Sequence, residues 1–149
     1  MKFSIHRHLD IGCGDGYFLK RSKARERYGF DTLLGDKPST LRQFEDNFFN
    51  CISLLAVIEH FDDTSILFEQ FHRLLSPKGR MIITTPKKIA ENIIRLYVPD
   101  IDDEHETYFT RDSLIELLGP KFRLAGYHTF ELGLNQVFCL EKIEQSNIK

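Results

Sequence analysis

The sequence has no tryptophan and only three cysteines, Cys13, Cys51 and Cys139, with no C-x-x-C pair among them. An odd, scattered set of this kind supplies neither a disulfide framework nor a zinc site. A reducing, cytoplasmic setting is therefore expected. Cys51 and Cys139 fall inside apolar strand-like runs, where cysteine behaves as a small hydrophobe. No run reaches the roughly 18 consecutive apolar residues of a membrane span, and Met1–His6 is too short and too polar for a signal peptide. Excess charge of one sign is missing as well. The 20 basic and 22 acidic residues leave a net charge of −2, which argues against a general nucleic-acid binder. Internal repeats and linkers are also lacking, so 149 residues fit one domain, expected over residues 1–142 with a frayed tail at 143–149.

What is present is glycine in one place. Residues Ser4–Ile11 read as a short buried strand, and Gly12, Gly14 and Gly16 follow at alternate positions. Tyr17, Phe18 and Leu19 then open a helix whose basic remainder, as far as Arg27, is either a solvated face or a local nucleic-acid patch. Strand, glycine turn and helix together make a cradle for a nucleotide-like ligand, because glycine admits turn conformations and close ligand approach. Cys13 lies in this turn, beside the expected ligand.

Further strands are expected at Arg27–Asp31, Phe48–Leu55 and Arg80–Thr85. Asp31 lies where nucleotide-binding folds place a ribose-binding carboxylate; the alternative is a solvated turn aspartate. Ile66, Leu67, Phe71, Leu74 and Leu75 recur at helical spacing after the helix-start residues Asp62–Ser65. Ser76–Gly79 stops that helix, with Gly79 placed where positive φ is expected. Lys87–Val98 has helical character, and Thr110–Gly119 is a short helix with a threonine cap and a Gly119-Pro120 stop. The runs Phe122–Leu132 and Leu134–Lys142 are separated by too little chain for a crossover, so they must pair antiparallel. The whole reads as an α/β sheet, parallel except at one end. Its ligand crevice would gather the loop after Ile11, Asp31, residues Ala56–His60 and the loop after Thr85.

A dinucleotide fingerprint, G-x-G-x-x-G, wants its third glycine at position 17, and that residue is tyrosine. Asp10-Ile-Gly-Cys-Gly-Asp-Gly16 instead resembles motif I of the class I S-adenosylmethionine-dependent methyltransferases. Tyr28-Gly-Phe-Asp31 resembles their ribose-binding second strand, and Ala56-Val-Ile-Glu-His60 the segment after their fourth. Asn50 stands where an aspartate is usual on the approach to that strand. Leu74-Leu-Ser-Pro-Lys-Gly through Pro86 is similar to their turn and fifth strand, and the terminal hairpin is another mark of the fold. The likeness runs over nearly the whole chain and is nearest to the small-molecule, type 11 group.

The resemblance implies a Rossmann-like three-layer α/β/α sheet and S-adenosylmethionine as cofactor, with S-adenosylhomocysteine as product. It implies that Gly12, Cys13, Gly14 and Gly16 line the methionine and ribose part, with Asp10 shaping the turn or meeting the amino group. Asp31 would hold the ribose hydroxyls, Leu55 and Ala56 would contact the cofactor, and Asp36 would meet the adenine amine. Between Asp31 and Phe48 the chain is too short for the family's usual helix and third strand, so that strand is expected to be missing or merged. Segments that cover the substrate in relatives are also missing before the first strand, so a homo-oligomer or partner could cover that side.

Methyl transfer to a small-molecule acceptor by in-line displacement is the reaction implied, and it depends mainly on alignment. His60 is the first candidate for general base, against a packing role. His105 is the second, against a solvated loop residue. The acidic run Asp100–Glu106 is a poor metal site, since consecutive side chains cannot all converge. Residues Lys87–Phe109 are expected to form a lid, with Tyr97, Tyr108 and Phe109 facing either an aromatic acceptor or the core. The opposing reading is a catalytically degenerate binding module or a partner-dependent subunit.

Overall fold

The computed structural model describes residues 5–61, 64–90 and 108–144. Six strands form one sheet: β1 (Arg7–Ile11), β2 (Glu26–Phe30), β3 (Phe49–Leu55), β4 (Leu75–Pro86), β5 (Phe122–Phe130) and β6 (Asn135–Lys142). Their spatial order is β2-β1-β3-β4-β6-β5. Strands β1 to β4 pair in parallel, whereas β6 runs antiparallel to both β4 and β5. Among the described residues, the sheet is flanked by helices α1 (Tyr17–Arg21), α2 (Thr64–Leu74) and α3 (Arg111–Leu118).

Period-two alternation assigns the faces of β1. Leu9 and Ile11 join a core that includes Phe71 of α2 and Leu114 of α3. His8 points the other way and meets the ring of Phe18 on α1. The central strand β3 is closed to solvent from Cys51 to Leu54, whereas edge strand β2 leaves Arg27 and Gly29 exposed.

The missing third strand is a fact of the fold. Between β2 and β3 the chain makes only two short 3₁₀ turns, Thr32–Leu34 and Pro38–Gln43, and β2 is left at the sheet edge. Tyr28, Phe44, Phe48 and Phe49 pack together in that region with centroids 4.9–5.7 Å apart, edge to face in every pair but the tilted Phe44–Phe48. Such pairs are favourable beyond their buried area.

Four expectations need correction. Helix α1 stops at Arg21 because Ser22 takes an extended conformation and β2 begins four residues later; Lys23 and Arg25 are exposed outside it. The buried face of α2 is Phe68, Phe71 and Leu74, while Ile66 is exposed. The Ser76–Gly79 turn is absorbed into β4 as a bulge, where the register with β3 shifts between Phe49↔Leu75 and the Cys51↔Arg80 pair. Lys78, not Gly79, takes the positive φ of 59°. Gly79 is needed for space, since a Cβ there would lie 2.7 Å from the Ser76 carbonyl oxygen.

The cap on α3 is as expected. Thr110 Oγ1 accepts from the Ser113 amide at 3.1 Å, and the Ser113 hydroxyl accepts from the Thr110 amide at 2.9 Å. The expected helix over Lys87–Val98 is described only as far as Ala90, and the acidic run Asp100–Glu106 lies outside the described residues. Among the described residues no helix is long and apolar enough to cross a membrane.

Candidate functional site

The glycine turn is seated on the end of β2 and stitched there by Asp31. The amides of Gly12 and Cys13 donate to the Phe30 carbonyl at 2.7 and 3.3 Å. One Asp31 carboxylate oxygen accepts from the Gly14 amide and the other from the Leu33 amide, both at 2.8 Å. Gly12 has φ 70°, and a Cβ on it would collide with Val57, whose Cγ1 lies 2.9 Å away. Gly14 has φ 49° with nothing near its missing Cβ, so conformation alone demands glycine there.

Above this turn lies a cleft of about 620 Å³, within the range of roughly 300–1,000 Å³ usual for small-molecule sites. It sits at the carboxyl ends of β1, β2 and β3, where doubly wound sheets bind ligands. Of the expected site residues it brings together Gly12, Asp31, Leu55, Ala56 and His60. Ala56 has φ 53°, a strained conformation for a residue with a Cβ. Its amide donates to both the carbonyl and the hydroxyl oxygen of Thr84, each at 3.0 Å. Strain of this sort marks sites where structure is held for a purpose.

The remaining expected residues lie elsewhere. Cys13, Gly14 and Gly16 belong to the turn but do not line the cleft. Asp36 borders a different hollow behind β2, and its carboxylate accepts from the Asp31 amide at 2.9 Å. His105 is outside the described residues. Val57 lines the cleft as part of the expected Ala56–His60 segment, while Thr32, Leu33 and Phe61 also line it and were not foreseen. Leu33 is 94% exposed on its rim. The pair Leu33-Leu34, two apolar residues directly after the strand-end acid, is the signal in the sequence that could have found it.

Asp10 is buried beneath the turn rather than in the cleft. It ends a chain of polar side chains: the Ser53 hydroxyl donates to Asp10, Ser53 Oγ meets His8 Nε2 at 2.8 Å, and His8 Nδ1 meets Ser22 Oγ at 2.8 Å. Burial lowers the His8 pKa. It raises that of Asp10, and the Ser53 hydrogen bond partly opposes the rise. Burial also raises the Cys13 thiol, as do the charges of Asp10, Asp31 and Asp36, and it pushes Cys51 up to about 12. Neither thiol is set up as a thiolate nucleophile.

The sheet order with its closing antiparallel strand, the glycine turn and the strand-end carboxylate define a Rossmann-like methyltransferase fold. The family profile described as "Methyltransferase domain" matches residues 2–120, and the chain belongs to that family of class I S-adenosylmethionine-dependent methyltransferases. Among solved structures it resembles a SAM-dependent methyltransferase from Methanosarcina mazei, with TM-score 0.65 and 15% identity over 97% of this chain and 95% of that one. A SAM-dependent methyltransferase from Archaeoglobus fulgidus gives TM-score 0.68 and 16% identity over 94% and 87%. A putative methyltransferase from Haloferax volcanii, solved in complex with the Trm112 methyltransferase activator, gives 0.70 and 11% over 95% and 84%. No curated protein matches the chain.

Proposed function

We propose that the protein binds S-adenosylmethionine in the cleft over the glycine turn and transfers its methyl group to a small-molecule acceptor. The observation that carries this reading is the convergence of Gly12, Asp31, Leu55 and Ala56 on one cleft. The missing Cβ of Gly12 lets Val57, part of the cleft wall, pack directly on the backbone of the turn. Asp31 spends one lone pair of each oxygen on the Gly14 and Leu33 amides, and a carboxylate has about four such sites. The lone pairs left over suit the two hydroxyls of a ribose. Leu33, exposed on the rim, offers an apolar surface to the adenine ring.

The cofactor, when bound, supplies a methyl group already activated on a sulfonium for in-line displacement. The chain's own task is then to orient and to exclude water. Val57 and Phe61 wall the cleft, and the doubly anchored Ala56 fixes the path of the chain after β3. His60 stands on the rim within the same cleft. It is positioned to take a proton from an acceptor that must lose one, a contribution of about 10²–10⁴-fold.

Calorimetric titration with S-adenosylmethionine tests the reading. Binding is expected, with affinity reduced at least 10-fold in Asp31→Ala. The absence of both heat and a thermal shift with the cofactor would sink the enzyme reading, and an unchanged affinity in the variant would reject the ribose role.

A second reading, a subunit that works only with a partner, is favoured by the bare edge of β2 and by a structural neighbour solved with an activator. Turnover by the isolated chain distinguishes the two.

A further inference from the structure

A second cleft, of about 440 Å³, opens at the carboxyl end of β4, where Lys87–Ile89 leave the sheet and Tyr108–Arg111 return to it. The end of β4 separates it from the cofactor cleft: Thr84 holds Ala56 on one side, and Thr85 pairs with Gln136 on the other. An acceptor lodged there would thus lie one strand from the cofactor.

The lining combines two chemistries. Three cations, Lys87, Lys88 and Arg111, stand around the cleft. Among the described residues neither lysine has a carboxylate within ion-pair distance, and the Arg111 partner is Asp112, its exposed sequence neighbour, at 3.9 Å. No described acidic side chain lines the cleft. Arg111 also opens α3, whose positive end adds to the field. Charges of one sign around a low-dielectric hollow focus potential on it. The rest of the wall is Tyr108, Phe109 and Tyr127, with Ile89 left 55% exposed. The wall is held firmly: Gln136, almost fully buried, donates to the Phe109 carbonyl at 2.6 Å and accepts from the Tyr127 hydroxyl at 3.3 Å.

We propose that this cleft is the acceptor site and that the acceptor carries a carboxylate or phosphate group on an aromatic or apolar body. The proposal rests on the methyltransferase reading only in taking the occupant to be the acceptor. The guanidinium of Arg111 suits the two oxygens of such a group, and the lysines act as point charges.

The test measures binding to the full chain, without cofactor, of four single-ring probes: 4-hydroxybenzoate, phenyl phosphate, tyramine and 4-hydroxybenzyl alcohol. Backbone amide shifts at Ile89, Thr110 and Arg111 locate the site. At least one anionic probe should bind there at least 10-fold more tightly than the amine and the alcohol. Combined Lys87→Gln, Lys88→Gln and Arg111→Gln should abolish that preference and leave S-adenosylmethionine affinity intact. Comparison of the two anions tells carboxylate from phosphate. Equal binding of the neutral or cationic probe, failure of both anions to bind at this cleft, or retained preference in the triple variant overturns the proposal. A charge-selective cleft in a chain that ignores S-adenosylmethionine would reject the cofactor reading alone.

Discussion

His8 and Asp10 lie two residues apart on β1, and both point away from the main core. Strand register brings Ser53 opposite Asp10, so its hydroxyl can serve both side chains. One proton arrangement satisfies every member when Asp10 is ionised. Ser22 donates to His8 Nδ1, His8 Nε2–H donates to Ser53, and Ser53 donates to Asp10. The imidazole must then be neutral, in the Nε2–H tautomer. Ser53→Ala leaves His8 and Asp10 each short of a buried partner and is expected to cost about 1–3 kcal/mol, read from the urea midpoint. The pH dependence has a definite sign. Burial holds the folded His8 pKa below its ordinary value of 6.5, so the unfolded chain takes up more protons as pH falls. His8 therefore contributes its full stability above pH 6.5, and that stability drains away below it, toward the lowered folded value. For Asp10, raised from 3.8, the sense is reversed: its contribution is lost as pH rises through the folded value. His8→Phe should flatten the decline in stability below pH 6.5, and an identical slope in the variant rejects the assignment. Residues of the cleft itself, such as Gly12 and Asp31, were legible because glycine turns and strand-end acids are local patterns. His8 and Ser53 were not. Nothing local announces a contact set by the register of two strands 45 residues apart in the chain.

The absence of a third strand could be read from the short span between Asp31 and Phe48, yet what holds that span could not. Arg73, on α2, reaches across to it. Its guanidinium donates to the carbonyls of Leu41 and Phe44 at 3.1 and 2.9 Å and pairs with Asp46 at 2.9 Å. Gln70, one turn earlier, accepts from Arg73 Nε at 3.2 Å and steadies it. The exposed Asp46 adds little, but hydrogen bonds from a charged donor to half-buried carbonyls are worth about 1.5–3 kcal/mol. A loop that would otherwise be tied by a strand ladder is tied by one side chain and an aromatic cluster. Arg73→Met is expected to lower stability by that amount and to speed amide hydrogen exchange over residues 41–48, with β4 and β6 protected as before. Uniform loss of protection across the sheet would contradict a local role. Sequence alone did not single out Arg73, because its partners lie about 30 residues away. The α3 cap was legible for the opposite reason, its partners being three residues apart.

At the scale of the whole molecule, the alternation of strands and helices, the parallel sheet and the antiparallel closing pair all followed from spacing and apolar runs. The placing of β6 between β4 and β5 was not read from the sequence, and it has a consequence for how the chain acquires its structure. The innermost seam of that half of the sheet is made by β6, which comes after the other five strands in the chain. Until residues 135–142 have emerged, β4 has no partner on one side, and β5 has no partner at all. Lys142, at the end of β6, then ties back to the Leu75 carbonyl and to Asn47 at 2.7 and 2.8 Å. Contacts spanning so much sequence must form before they can repay the entropy of closing the intervening loop, which slows folding. A chain stopped after Gly133 should therefore show no cooperative urea transition, and a wild-type transition slope from it would refute this order of events. Growing on a ribosome, the chain completes its glycine turn once β2 is made but leaves the sheet open until residues 135–142 emerge, and for that interval the unpaired flank of β4 is where a chaperone or an aggregate would take hold.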